Sequence, residues 1–240
     1  MSQTYETGHA INVANLQKMI EQISVFGAYN PAVEVLKTEN LKQLYTKATE
    51  VLNKVEEKRA TNKKAIHARQ DAYEDLRPTT TRIINQLDIL NLSEGDFAQA
   101  KSLNNLIQGK RQIKKDSEEE IEVETVTIST SRQSFTQLAD NFSKLIQLLE
   151  NIPNYNPNIE ELKLEEVKNY QTAMVESTKA VDQTEAELNA ALIERNELLY
   201  AEDTGLYDIA LDVKKYVKSV YGATAPEYTK VSGIKANICC

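Results

Sequence analysis

Tryptophan is absent from this chain of 240 residues, and glycine, proline and histidine are scarce, at 7, 5 and 2. So few turn-forming residues disfavour a sandwich or barrel, which must change direction often, and favour helices joined by short connections. Two histidines, His9 and His67, with no His-Glu-x-x-His or Glu-x-x-His pairing, supply no zinc or diiron ligand set. The only cysteines, Cys239 and Cys240, are adjacent at the chain end. They cannot staple a core, because no other thiol exists to pair with them. No apolar run approaches 18 residues, and the N-terminal stretch has no basic segment leading into an apolar one. Neither a transmembrane helix nor a secretory signal is therefore expected, and the setting is read as cytoplasmic.

A basic excess is missing as well. Lys and Arg number 28 against 36 Asp and Glu, for a net charge of −8. A surface that tracks phosphates needs the opposite balance, so no nucleic-acid partner is expected. The basic stretch Lys54–Lys64 alternates with acids and reads as a solvated helix face; Gln108–Lys115 is offset by acids immediately downstream. His67 lies in a charged helical stretch and reads as a solvated surface residue. The glycines at 95 and 109 stand without the further glycines and the Ser or Thr of a phosphate-binding loop. With no catalytic residue, metal site or cofactor motif to name, the protein is read as non-enzymatic.

What is present is helix-forming residues and a repeat. Sliding the sequence against itself by 126 positions aligns Asn15–Leu44 with Asn141–Tyr170 without a gap, and 11 of the 30 pairs are identical. Tyr29-Asn30-Pro31 falls on Tyr155-Asn156-Pro157; apolar swaps such as Leu16/Phe142, Met19/Leu145 and Ile23/Leu149 surround them. We read two copies of one fold unit. The repeated turn motif is first a device for stopping a helix: each proline lacks an N–H and holds the residue before it extended. Tyr29 is expected at the edge of the core rather than facing a ligand.

Ile11, Val13, Leu16, Met19, Ile20 and Ile23 recur at helical spacing and predict a helix over about 9–24. A rod then runs over roughly 38–76 with no Gly or Pro, its middle around Arg59–Lys64 polar; its counterpart covers about 164–201. Such a rod would reach on the order of 60 Å and cannot be stable without packing. Pro78 ends the first rod or sits in the opening turn of the next helix. Two shorter helices follow in each copy, the last one after Pro226.

The expected fold is all-α: an internally duplicated, elongated, antiparallel helical bundle with coiled-coil character and about four helices per copy. Residues 1–115 form the first copy, 116–130 a linker or helix extension, and 131–240 the second copy. Ile121–Thr130 is rich in β-branched residues but has no sheet to join.

Three groups remain as candidate functional residues. The turn motif comprises Tyr29, Asn30, Pro31, Tyr155, Asn156 and Pro157. Cys239 and Cys240 are either exposed tail thiols or the site of an intermolecular disulfide; the aliphatic residues that prenylation requires do not follow them. Tyr221, Tyr228 and Ile234 belong to a terminal segment that either caps its own bundle or docks a partner. The functional expectation is a structural, self-associating protein forming homo-oligomers, filaments or arrays. The alternatives are a protein-binding adaptor module and an α-helical membrane-active or pore-forming protein.

Overall fold

The computed structural model describes residues 4–109 and 133–236, and everything regular in them is helical. Eight α-helices follow in order: α1 Thr4–Ser24, α2 Thr38–Glu74, α3 Leu76–Asp88, α4 Glu94–Gln108, α5 Phe135–Glu150, α6 Leu164–Tyr200, α7 Leu206–Tyr221 and α8 Pro226–Ser232. Short 3-10 turns occupy Glu34–Leu36 and Glu160–Leu162. The read linker, 116–130, and the paired cysteines lie outside the described residues.

Local chemistry sets the ends. The Ser93 hydroxyl accepts from the Asp96 N–H at 3.1 Å and caps α4, and the Ser134 hydroxyl accepts from the Gln137 N–H at 3.2 Å and caps α5. The α4 helix stops at Gly109, whose left-handed φ of 72° a side chain would resist. Pro78 sits in the first turn of α3, where its missing N–H breaks no intrahelical bond, and Pro226 opens α8.

The 126-residue spacing governs structure as well as letters. α1 and α5 end at Ser24 and Glu150, the 3-10 turns match residue for residue, and both rods are 37 residues long and start 126 apart. Along the first part of each rod a residue is buried every seventh position: Leu41, Ala48 and Val55 in α2, Val167, Met174 and Val181 in α6. From Glu56 to Ala72 nothing in α2 is buried, in keeping with its polar middle.

After the rods the register changes. α3 starts at Leu76 and α7 at Leu206, so the second half carries four extra residues before its third helix. They form a tight connection in which the Gly205 N–H donates to the Ala201 carbonyl at 2.8 Å. A Cβ on Gly205 would lie 2.7 Å from the Ala201 backbone, so only glycine fits there. Allowing for these residues, the buried faces align again: Leu76 with Leu206, Ile83 with Val213, Leu87 with Val217.

Packing divides the chain into two compact units. Unit 1 takes the chain up to Asn62 and from Thr184 onward; unit 2 is Lys63–Gln183. The division falls inside both rods. Unit 1 buries the α1 residues Leu16, Met19 and Ile23 with Leu206, Val213 and Val217 of α7 and Val231 of α8. Unit 2 buries Phe142, Leu145 and Leu149 of α5 with Ile83 and Leu87 of α3 and Ile107 of α4. The compact units and the halves read from the sequence thus divide the chain differently: each unit is built from both halves.

One stripe differs from its sequence reading. Ile11 is 49% exposed, while His9 and Asn12 are buried beside Val13 and Leu16. The buried face of α1 therefore begins with polar side chains, which a search for apolar periodicity passes over.

Candidate functional site

The repeated turn has the same geometry twice. The Tyr29 hydroxyl donates to the Leu36 carbonyl at 2.7 Å, and the Tyr155 hydroxyl donates to the Leu162 carbonyl at 2.7 Å. The backbone N–H of Tyr29 reaches back to the Phe26 carbonyl at 3.0 Å, and that of Tyr155 to the Ile152 carbonyl at 3.1 Å. Each tyrosine thus ties the end of one helix to the 3-10 turn that launches the rod. Pro31 and Pro157 are buried and Asn30 and Asn156 exposed, so the proline wedges inward while the asparagine faces solvent. Burial pushes the Tyr155 phenol up to about 12 and the Tyr29 phenol higher still, with Tyr216 adding to the shift. In both turns the tyrosine hydroxyl is bonded to the chain's own backbone.

Aromatic partners distinguish the two turns. In unit 1 the Tyr29 ring meets Tyr216 edge-on at 5.2 Å, Phe26 meets Tyr221 at 5.6 Å, and the Ala28 N–H donates to the Tyr221 hydroxyl at 2.9 Å. The terminal segment lies against the same core. Tyr221, Tyr228 and Ile234 are half-buried there, with the Lys218 ammonium over the Tyr228 ring at 5.7 Å. The Ile234 carbonyl accepts from Lys214 Nζ, and the Lys235 carbonyl accepts from Asn15 Nδ2 at 2.7 Å. Desolvation there lowers the Lys214 ammonium below its ordinary range. All three residues of the segment singled out in the sequence therefore pack on their own unit.

A buried polar cluster escaped the sequence reading. His9 Nδ1 and the Tyr200 hydroxyl are 2.7 Å apart, and Asn12 Nδ2 donates to the same hydroxyl at 3.1 Å. His9 and Asn12 are 3% and 2% exposed. With Asn12 donating to it, the hydroxyl donates to His9 Nδ1 or accepts from it according to the imidazole tautomer. The one available signal was the register: His9 and Asn12 fall opposite Phe135 and Leu138, polar letters where the other copy is apolar.

Unit 2 fills the equivalent place with aromatics. Phe135 meets Tyr73 at 4.8 Å, the Arg69 guanidinium lies 4.2 Å from the Phe135 centroid, and the Tyr73 and Thr178 hydroxyls are 3.1 Å apart. The Tyr170 hydroxyl is buried without a hydrogen-bond partner, and burial, with Asp75 and Tyr73 nearby, pushes it up to about 12. Between α5 and α6 an open groove of about 380 Å³ has Tyr73, Ala139 and Val175 on its walls and Asp140, Lys179 and Asp182 among its polar groups. His67 is exposed.

Among the described residues no group of three or more His, Cys, Asp or Glu side chains is placed to hold a metal ion, and no helix is long and apolar enough to cross a membrane. Compared with protein-family models, curated proteins and solved structures, the chain matches none.

Proposed function

We propose that this is a non-enzymatic structural protein that associates with itself, through the surfaces around the Tyr-Asn-Pro turns. The observation that supports this reading is the apolar exposure around the first turn. Val25 is 78% exposed, Val33 and Val35 are more than half exposed, and Val220 stands next to Tyr221, which binds the same turn. Unit 2 presents Ile159 in the position of Val33, and Ile89 just past α3. Several exposed apolar side chains flanking one turn are what an interaction surface would use. Because the two turns are similar without being identical, a contact between the first turn of one molecule and the second of its neighbour is heterologous and propagates into a chain or array. Light scattering and negative-stain microscopy across protein concentration test the reading. A growing particle is expected, Val25→Glu with Val33→Glu should suppress it, and a monodisperse monomer at high concentration would sink it.

A second reading, a protein-binding adaptor, draws on the groove of unit 2, whose lining of apolar and oppositely charged side chains suits a partner segment. Capture of one stoichiometric partner that is lost in Val175→Glu would favour it over self-association.

A further inference from the structure

Neither half of this chain owns a complete core. In unit 1, α1 from the first half packs on α7 and α8 from the second. In unit 2, α5 from the second half packs on α4 from the first, and the 3-10 turn after each Tyr-Asn-Pro motif meets the third helix of the opposite half. Polar contacts follow the same rule. Unit 1 joins Lys58 to Glu187 at 2.9 Å, Lys54 to Glu194 at 2.6 Å and Asn62 to Thr184 at 3.0 Å; unit 2 joins Arg82 to Glu161 at 2.7 Å and Gln133 to the Leu106 carbonyl at 2.8 Å. Each of these bonds crosses from one half to the other.

We propose that each half is a binding partner for the other, and that this interface accepts the complementary half of a second copy of this chain. The argument is one of reciprocity and burial. Leu16, Met19 and Ile23 of α1 are about 1% exposed, and what covers them includes Leu206, Val213 and Val217, residues encoded some 190 positions away. A first half without its second would present that seam to water, a loss far beyond what a stable fold tolerates. The contacts within a unit are the same whether the complementary half comes from the same molecule or from another. Only effective concentration chooses between them: linkage favours closure within one chain, and loss of linkage or high protein concentration favours exchange. The seam side chains are buried whereas the valines around the first turn are exposed, so substitutions at one leave the other in place and the two readings are tested separately.

The experiment uses the full chain with a protease site placed between Gly109 and Gln133. After cleavage, sizing and native mass spectrometry should find both fragments in one particle of the intact chain's mass. Isotopically light and heavy cleaved preparations are then mixed, unfolded and refolded. Pairs of mixed origin, a light first half with a heavy second half or the reverse, should together make up about half of all pairs, the statistical share for partners without memory of their origin. Ile23→Asp and Leu149→Asp, the same position in each half, should each reduce co-elution of the cleaved pair at least tenfold at micromolar concentration. Ile11→Asp, on the exposed face of α1, should leave it unchanged. Fragments that separate on cleavage, as monomers or as aggregates, would overturn the proposal, as would the absence of mixed light–heavy pairs after refolding.

Discussion

The stretch of α1 around His9 and Asn12 in unit 1 and the first turn of α5 in unit 2 occupy corresponding places and solve the same packing problem with opposite chemistry. Unit 1 seals its corner with His9, Asn12 and Tyr200, joined by hydrogen bonds. Unit 2 seals the matching corner with Phe135 against Tyr73, under the Arg69 guanidinium. The framework is common to both: the same turn, the same tyrosine bond to the 3-10 turn, the same spacing of buried residues along the rod. A helix scaffold of this kind constrains where a side chain is buried, not what it is, provided every buried polar atom finds a partner. The polar solution demands more of its neighbours, because removing any one member takes a hydrogen bond from at least one of the others.

The largest expected effect tests whether the units are independent. Phe142→Ala should cost about 3–5 kcal/mol and Leu16→Ala about 2–5 kcal/mol, from lost burial and the cavity left behind. Denaturant unfolding gives the totals, and hydrogen exchange assigns them: Phe142→Ala should strip protection mainly from α3–α5, Leu16→Ala mainly from α1, α7 and α8. Equal loss in both units for both variants would mean that the molecule unfolds as one body.

Swapping the corners sharpens the comparison. His9→Phe with Asn12→Leu, which writes the letters of unit 2 into unit 1, should destabilise by about 1–3 kcal/mol, because the part-buried Tyr200 hydroxyl loses both of these hydrogen bonds. Adding Tyr200→Phe should recover part of that loss. A triple variant no more stable than the double would show that the hydroxyl is satisfied elsewhere. The turn prolines come next: Pro31→Ala and Pro157→Ala should each cost about 0.5–2 kcal/mol in thermal melts, since both prolines are buried and both limit the unfolded chain. Tyr29→Phe and Tyr155→Phe, which delete matching 2.7 Å bonds, should each cost about 0.5–1.5 kcal/mol and differ little from one another.

The last prediction has no effect at neutral pH. Burial holds Tyr29, Tyr155 and Tyr170 protonated beyond the ordinary phenol value of 10.0, the latter two to about 12. Above that ordinary value the unfolded chain binds fewer protons than the folded one, so stability is full below pH 10.0 and falls as pH rises through 12. Phenolate absorbance should rise in a step that coincides with loss of helical signal. A gradual rise with the helices intact would place these hydroxyls in contact with water.

The helices were legible because their signals are local. Pro31, Pro157, the gap-free 126-residue register and a long stretch without Gly or Pro placed both rods to within two residues of where they lie. The units were hidden because they depend on which helix meets which, and α1 is covered by residues of α7 and α8 that no local period connects to it. The four residues that precede Leu206 obscured the matching third helices as well, since they break the register that the eye follows. At the candidate residues the outcome divides in the same way. The turn motif was visible as repeated text, and its hydroxyl bond to the carbonyl seven residues on is a local consequence. The His9–Asn12–Tyr200 cluster joins residues 188 and 191 apart, and its members look like ordinary surface letters until they are buried together.

The cross-half construction also sets a timetable during synthesis. The seam of α1 leaves the ribosome long before α7 exists, with more than 180 residues between Ser24 and Leu206 still to be made. At roughly 5–20 residues per second, that seam waits about 10–40 seconds for its cover. Unit 2, which closes once the front of α6 has emerged, has a shorter wait. The order of assembly is therefore written into the chain direction: the core begun first is the one completed last, and in the interval its uncovered leucines and isoleucines are what a chaperone, or a neighbouring nascent chain, would meet.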